Sequence, residues 1–514
     1  MGLLEILQTS TKEWVMIPRM KSRSRWTLVA TIIASSMTFI DGTVVNVALP
    51  ALQSNLHATI TDVQWVIEAY ALFLGALILV GGSMGDQFGR KRVFLFGVLL
   101  FTGASILCGL AASARALIVS RALQGIGAAF LVPGSLAIIS ATFDDADRGR
   151  AIGTWSGFSA ITTAIGPVTG GWLIEHVSWR AVFFLNVPLA TVVVVLSLLF
   201  MDESRDPSRV DRLDWTGAAL AVLGLGGLVF GLLEWPPLGA THPLVLTALA
   251  IGALSLIVLP IVEHRTPNPM MPLALFRSRT FRLANLLTLF LYAALALVVF
   301  LVPMNLIQIQ QYSATEAGAA FLPFPVIMFA LSRWSGGLVA RIGSRLPLTV
   351  GPAVAALGIV LYARPGIGGS YWATFFPAVI VLAFGMAITV APLTTTAMEA
   401  VETRHAGVAS GVNNAVARVA GLVAIAIFGV VLVRAFTARV TPPLDKVALT
   451  ASTRATIDSE LPRLAGADVA GVPREQAAVV RGIIDAAFVS AFRFVMICAA
   501  VLALAASATG AGIR

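Results

Sequence analysis

Fourteen apolar runs, each about as long as a bilayer is thick, divide this chain and leave little room for any other kind of fold. They fall near 26–50, 65–84, 92–112, 116–140, 150–173, 180–201, 214–234 and 243–263, then near 281–304, 316–340, 346–363, 372–396, 407–434 and 487–508. A helix crossing hydrocarbon needs roughly 20 apolar residues, because lipid offers no partner for backbone N–H and C=O groups. Composition agrees. Of the 514 residues, 58% are apolar and 12% charged, against about 25% charged in a soluble domain. Disorder, a collagen-like chain, a disulfide scaffold and an ordinary soluble enzyme are excluded on that ground. The expectation is an all-α integral membrane protein. The runs most interrupted by proline are 316–340, with Pro323 and Pro325, and 372–396, with Pro377 and Pro392. Proline is tolerated in spans where neighbours satisfy the freed carbonyls.

Charge sets the expected orientation. The formal net charge of +9 comes from Lys and Arg in the short loops, so it argues for lipid rather than nucleic acid as the partner. Taken alternately, the N-terminal arm and loops of one side hold twenty Lys or Arg, and the short loops of the other side hold Arg115, Arg180 and Arg364. The positive-inside rule then puts both termini in the cytoplasm. It also predicts an arm over 1–25, a cytoplasmic linker over 264–280 and one long outer loop over 435–486, solvated and carrying a short surface helix. Leu3 to Met16 has the pattern of a short interfacial helix. No cleavable leader pattern precedes the first run, which reads as a retained span. Cys108 and Cys498 lie inside apolar runs. The five histidines show no metal spacing, and GxxxxGK[ST] does not occur. The expectation is therefore neither an enzyme nor an ATP-driven pump, with no metal and no bound cofactor.

Ionisable groups at membrane depth cost at least about 2.5–3.5 kcal/mol each on insertion scales and default to functional candidates. Asp41, Glu68 and Arg121 all fall in the outer half of their spans, Asp41 roughly 13 Å inside Pro50 at 1.5 Å per residue. Arg333 and Arg418 lie nearer the cytoplasmic ends of theirs. Asp41 and Glu68 read either as proton sites beside Arg121 or, for Asp41 with Arg121, as a buried pair that orders the helices. Arg121 with Gln124 reads either as a charge-sensing relay or as static glue. Between the second and third runs stands Gly82-Ser83-Met84-Gly85-Asp86-Gln87-Phe88-Gly89-Arg90-Lys91-Arg92. Its glycines allow a tight turn, Asp86 can cap the third span, and Arg90 can pair with a carboxylate or with helix-ending carbonyls. Together these make a charged gate. Phe39, Asn46, Tyr70, Gln124, Trp155, Phe158, Asn305, Gln308 and Phe324 are candidates to line a cavity, with core or lipid packing the alternative for any single aromatic.

That loop string resembles the signature of the major facilitator superfamily. Further segments are similar to its fourteen-span drug:proton antiporter family (EmrB/QacA type). They are Asp41 to Pro50, the Trp65 to Tyr70 pattern, Arg121 to Gly127 (RxxQGxG), and Gly166-Pro167-Val168-Thr169-Gly170-Gly171 (GPxxGG). Trp179-Arg180 through Pro188 also match, and Ala406 to Asn414 match loosely. The later copy of the loop motif, Gly337 to Arg345, lacks the aspartate. The resemblance implies a major facilitator fold: a six-helix bundle over 26–201, two inserted spans over 214–263 and a second bundle over 281–508. It implies a proton-coupled multidrug efflux antiporter in a bacterial cytoplasmic membrane, exporting amphipathic, cationic compounds by alternating access and driven by the proton gradient. A dedicated exporter of one natural product, lipid or metabolite is the alternative. In this scheme proton and cation compete for Asp41 or Glu68. The expected partners are substrate, protons and lipid, with the protein a monomer; EmrB-type relatives raise a periplasmic adaptor.

Overall fold

A computed structural model of the chain describes residues 22–205, 214–266, 269, 273–336, 338–401, 406–469 and 472–513. The expected N-terminal arm, with the interfacial segment Leu3 to Met16, lies almost wholly outside them, as does part of the 264–280 linker. The described residues form helices and no strand. The long helices are α1 (Ser22–Asn55), α2 (Ile60–Phe88), α3 (Arg90–Gly109), α4 (Ala114–Thr142), α5 (Asp145–His176), α6 (Asn186–Phe200), α7 (Trp215–Leu233) and α8 (Pro243–Arg265). They continue as α9 (Arg279–Gln308), α10 (Pro323–Gly336), α11 (Arg345–Tyr362), α12 (Phe375–Glu399), α13 (Ala406–Leu444) and α14 (Arg474–Ala511). Thirteen stretches among the described residues are long and apolar enough to cross a membrane. α5 is not among them, although its 32 residues reach about 48 Å at 1.5 Å per residue.

Local chemistry starts these helices where the sequence turns from polar to apolar. Thr59 and Asp62 form a reciprocal capping box at α2. Ser113, Asp214 and Ser278 cap α4, α7 and α9 through their side-chain oxygens, each satisfying a backbone N–H that the first turn leaves open. The proline-interrupted run breaks as its composition suggests: a six-residue helix, Ala314–Ala319, precedes α10.

The first six helices and the last six repeat one packing plan. In the first half α2 and α3 pack on α4, and α1 packs on α5 and α6; in the second α10 and α11 pack on α12, and α9 packs on α13 and α14. The halves meet where α2 touches α13, α5 touches α10 and Ala314–Ala319, and α1 touches α9. α7 and α8 pack on each other, and α7 lies along the α2–α13 seam. There Leu72, Leu422 and Ala426 are buried with Leu225, Val229 and Leu233 of α7.

The halves are sealed together at the end that holds Pro50. One large buried cluster runs across both halves, from Val45, Leu49 and Leu52 of α1 to Leu297, Leu301 and Met304 of α9. At the opposite end, the one holding the Gly89 turn, the buried clusters belong to one half or the other: Leu28 with Ile139, Phe143 and Ala151 in the first, Leu275 with Phe281, Ala409 and Val412 in the second.

The long loop differs from its expected form. α13 and α14 extend over much of 435–486 and leave only 445–473 between them. That stretch holds a helix, Ala451–Glu460, and a 3-10 turn, Leu461–Gly466. It is not simply solvated. Ile457, Leu464, Ala465 and Ala467 are buried in the large cluster, and the Gln53 amide donates to the Arg463 carbonyl at 3.1 Å. The loop's few apolar residues thus close over the sealed end.

Candidate functional site

Asp41 and Arg121 meet inside the first half. Arg121 Nη1 lies 2.5 Å from Asp41 Oδ2, with the residues 2% and 1% exposed. The remaining valences are filled as well. Gln124 Nε2 donates to Asp41 Oδ1 at 2.8 Å, and Arg121 donates to Gln124 Oε1 at 2.7 Å and, through Nε, to the Val66 carbonyl at 3.0 Å. The guanidinium lies 4.3 Å from the Tyr70 ring centroid, a cation–π contact. Ser105 extends the network, accepting from Asn186 Nδ2 at 2.9 Å and donating to the Phe183 carbonyl at 2.9 Å. A buried charge stays affordable only when paired and hydrogen-bonded, and both charges here are. Of the two readings open for this pair, the geometry matches the helix-ordering anchor, and Gln124 belongs to that anchor rather than to a cavity wall.

Glu68 stands apart from this network. It is 0% exposed, and both carboxylate oxygens lack a hydrogen-bond partner among the described residues. Its direction follows from helix periodicity. Val66 and Tyr70 face α4, through the Arg121 bond and a close approach at Gly125. Gln64 and Gly75 face α13: Gln64 Nε2 donates to the Ile425 carbonyl at 3.4 Å, and Gly75 lies by Arg418. Glu68, four residues after Gln64 and seven before Gly75, shares that second stripe. The three charges expected to cluster are thus an ion pair within one half and a solitary acid on the seam between halves.

A cavity of about 210 Å³ lies beside the seam, lined by Thr38, Phe39, Gly42, Thr43, Tyr70, Leu74 and Arg418. Of the expected lining residues, Phe39 and Tyr70 reach it. Trp155 is edge-on to Phe39, with centroids 6.3 Å apart, and its indole donates to Ser35 Oγ at 2.9 Å. Phe158 is exposed on α5. The other expected lining residues lie away from this cavity. Asn46 is buried and donates to the Gly42 carbonyl at 3.0 Å. Asn305 is buried and accepts from Gln310 at 3.2 Å, and Phe324 packs on the large cluster. Gln308 donates to Gln53 Oε1 at 2.8 Å, joining α1 and α9 across the seal.

The GPxxGG segment makes contacts only glycine allows. A Cβ at Gly166 or Gly170 would strike Thr43 or Val44 of α1. One at Gly171 would strike the Ala314 carbonyl of the other half, and one at Gly318 the Pro167 carbonyl. The motif therefore presses α5 against α1 and seals the halves at the same end as Gln53 and Gln308.

At the Gly89 turn the expected cap cannot be read from the structure. The Asp86 side chain lies outside the described residues. Among the described residues, Glu203, which follows α6, is a side-chain acceptor at the start of α3: its carboxylate accepts from Lys91 N at 3.0 Å and Arg92 N at 3.3 Å. Gly89 has φ 108°, a conformation glycine adopts without strain, and a Cβ there would also meet Glu203. Gly82 packs near Pro133 without crowding. Arg90 is half-buried, and its backbone N donates to the Ser204 carbonyl at 2.9 Å. Sequence reasoning missed Glu203, Ser105 and the Gln53–Gln308 bond, all long-range partners without a local pattern.

Comparison with known proteins fits this architecture. Residues 31–425 match the Major Facilitator Superfamily. The chain is 34% identical over 421 residues to the multidrug resistance protein Stp of Mycobacterium tuberculosis, covering 82% of this chain and 78% of that one. It is 33% identical to the tetracenomycin C resistance and export protein of Streptomyces glaucescens, covering 79% and 75%. It is 30% identical to the methylenomycin A resistance protein of Bacillus subtilis, covering 77% and 85%. In fold it is similar to a bacterial homolog of the human lysosomal transporter Spinster in an inward-facing, unoccupied conformation, with TM-score 0.69 at 18% identity over 96% of this chain and 99% of that one. With two repeated six-helix halves, a sealed end and a family match over most of its length, the chain belongs to the major facilitator superfamily.

Proposed function

We propose that this protein is a proton-coupled exporter of amphipathic drug-like compounds, of the fourteen-span drug:proton antiporter type, working by alternating access in a bacterial cytoplasmic membrane. The resistance proteins among its relatives and the GPxxGG segment support the class. The Lys and Arg asymmetry puts the Gly89 end in the cytoplasm, so the sealed end faces out and the molecule faces inward. Several relatives are each named for one antibiotic, among them tetracenomycin C, puromycin and lincomycin. That favours a narrow natural-product range as the second reading.

The observation that carries the coupling is Glu68. On the closed α2–α13 seam its carboxyl has no hydrogen-bond donor among the described residues, an arrangement that suits an uncharged acid. An ionised carboxylate left unpaired in a closed interior costs several kcal/mol, and each 1.4 kcal/mol shifts an equilibrium tenfold. Ionised Glu68 therefore holds the outer seam open, and protonated Glu68 lets it close. Outside, substrate leaves and Glu68 takes a proton; the seam closes and the cavity faces the cytoplasm. Substrate entering beside Tyr70 loosens the seam, Glu68 gives up its proton to the cytoplasm-facing cavity, and the outer end then opens. Both Asp41 oxygens are already occupied, which makes Asp41 the anchor rather than the carrier. The energy comes from the proton gradient, with no bound cofactor.

The test is Glu68→Gln in proteoliposomes under an imposed pH gradient, with a fluorescent dye as cargo. The expected result is loss of gradient-driven dye movement with dye binding retained. Gradient-driven movement at the original rate overturns the assignment.

A further inference from the structure

The charges on the cavity wall are not those a cation site needs. Both acids expected to recruit a cation are turned away from it. Asp41 is consumed by Arg121 and Gln124, and Glu68 is fully buried on the seam. The ionisable lining group at neutral pH is Arg418, on α13 of the second half, facing Thr38, Phe39, Gly42 and Thr43 of α1 and Tyr70 and Leu74 of α2. Arg418 enters no hydrogen bond or ion pair among the described residues. Its lining neighbours supply no carboxylate: the Thr38 and Thr43 hydroxyls donate to backbone carbonyls of their own helix, and Gly75 lies where an added Cβ would be in ordinary contact with the Arg418 side chain.

A guanidinium at membrane depth is costly, and a lone one is more so, since buried charges are ordinarily paired. Arg is also the side chain whose planar donors match a carboxylate in two parallel hydrogen bonds, and it gives charge-assisted hydrogen bonds to any anionic oxygen. From these observations we propose that Arg418 forms an anion-accepting subsite, so that the exporter takes amphipathic compounds carrying an acidic oxygen group, a carboxylate or an ionised enol or phenol, rather than simple cations. The volume of about 210 Å³ is below the roughly 300–1,000 Å³ of a whole drug site. It fits the acidic head of a ligand whose apolar body lies toward Phe39 and Trp155. Because the site is built from both halves, an anion bound there bridges α13 to α1 and α2 directly beside the seam that opens.

This proposal deepens the exporter reading and rests on it, but its test needs no proton gradient. Two dyes are used in detergent solution: a rhodamine with a free benzoic carboxyl and its methyl ester, which differ by the one anionic group. Binding to the purified full chain is followed by fluorescence polarisation for the native protein, Arg418→Gln and Arg418→Lys. The native protein should prefer the free acid over the ester by about tenfold or more, the scale of a charge-assisted hydrogen bond. Arg418→Gln should abolish that preference while leaving ester affinity within about twofold, and Arg418→Lys should keep part of it. Retained ester binding shows that the variants are folded. An acid-to-ester ratio equal in the native protein and Arg418→Gln overturns the subsite and leaves the exporter reading standing. Failure of the native protein to bind either dye counts against both.

Discussion

Consider Asp41→Asn, which keeps the side chain's shape and removes its charge. Arg121 then stays 1% exposed, with its bonds to Val66 and Gln124 but no counter-ion. Removing one partner of a buried pair costs about 3–5 kcal/mol, whereas replacing both by neutral groups is often near neutral. The first half spans 22–205. For a unit of that size, 1 kcal/mol moves the melting temperature by roughly 2–4 °C, so Asp41→Asn should lower it by an amount on the order of 10 °C. Arg121→Met alone, which strands the carboxylate, should do the same. The double variant should recover at least half of the loss, because no unpaired charge remains and the new amide still accepts from Gln124. The assay is thermal unfolding of the purified protein in detergent, followed by tryptophan fluorescence. Single variants that melt with the native protein, or a double variant whose loss equals the sum of the two, would refute the anchor.

Gly171→Val should prevent the outer seal, since the added carbons meet the Ala314 carbonyl and Thr315; in that background a cysteine introduced by Gln53→Cys should react about tenfold faster with a membrane-impermeant maleimide than in the native background. Leu464→Asp should raise the same reactivity, because it puts a carboxylate into the buried closure of the loop. Glu203→Gln weakens a half-exposed, charged cap on α3, so it should cost about 1 kcal/mol, read as a small fall in melting temperature with transport retained.

How much of this was legible in the sequence depends on whether the deciding contact is local. Span existence was legible, because hydrophobic length and capping residues are local properties. Depth was legible too: counting residues from Pro50 brought Asp41 level with Arg121, and the two do meet. Azimuth was not. Whether Glu68 faces α4 or α13 is set by where α2 is gripped, at Tyr70 against Gly125 and at Gln64 against Ile425, and those partners lie far along the chain. For the same reason the sequence did not show that Gln124, Asn305 and Gln308 bond to other protein side chains here. A polar residue inside a span signals a partner, but it does not say whether that partner is a ligand or another helix. The capping of α3 by Glu203, and the packing of Leu464 into the sealed end, also depend on chain segments that come together only in the folded molecule.

The account turns on the solitary acid of the seam exchanging its proton as substrate binds. Proton release can be read directly with a pH-indicator dye in weakly buffered detergent solution while the rhodamine ester is titrated into the protein. The native protein should release protons in step with binding, and Glu68→Gln should bind the dye and release none. Equal release from both would contradict the account.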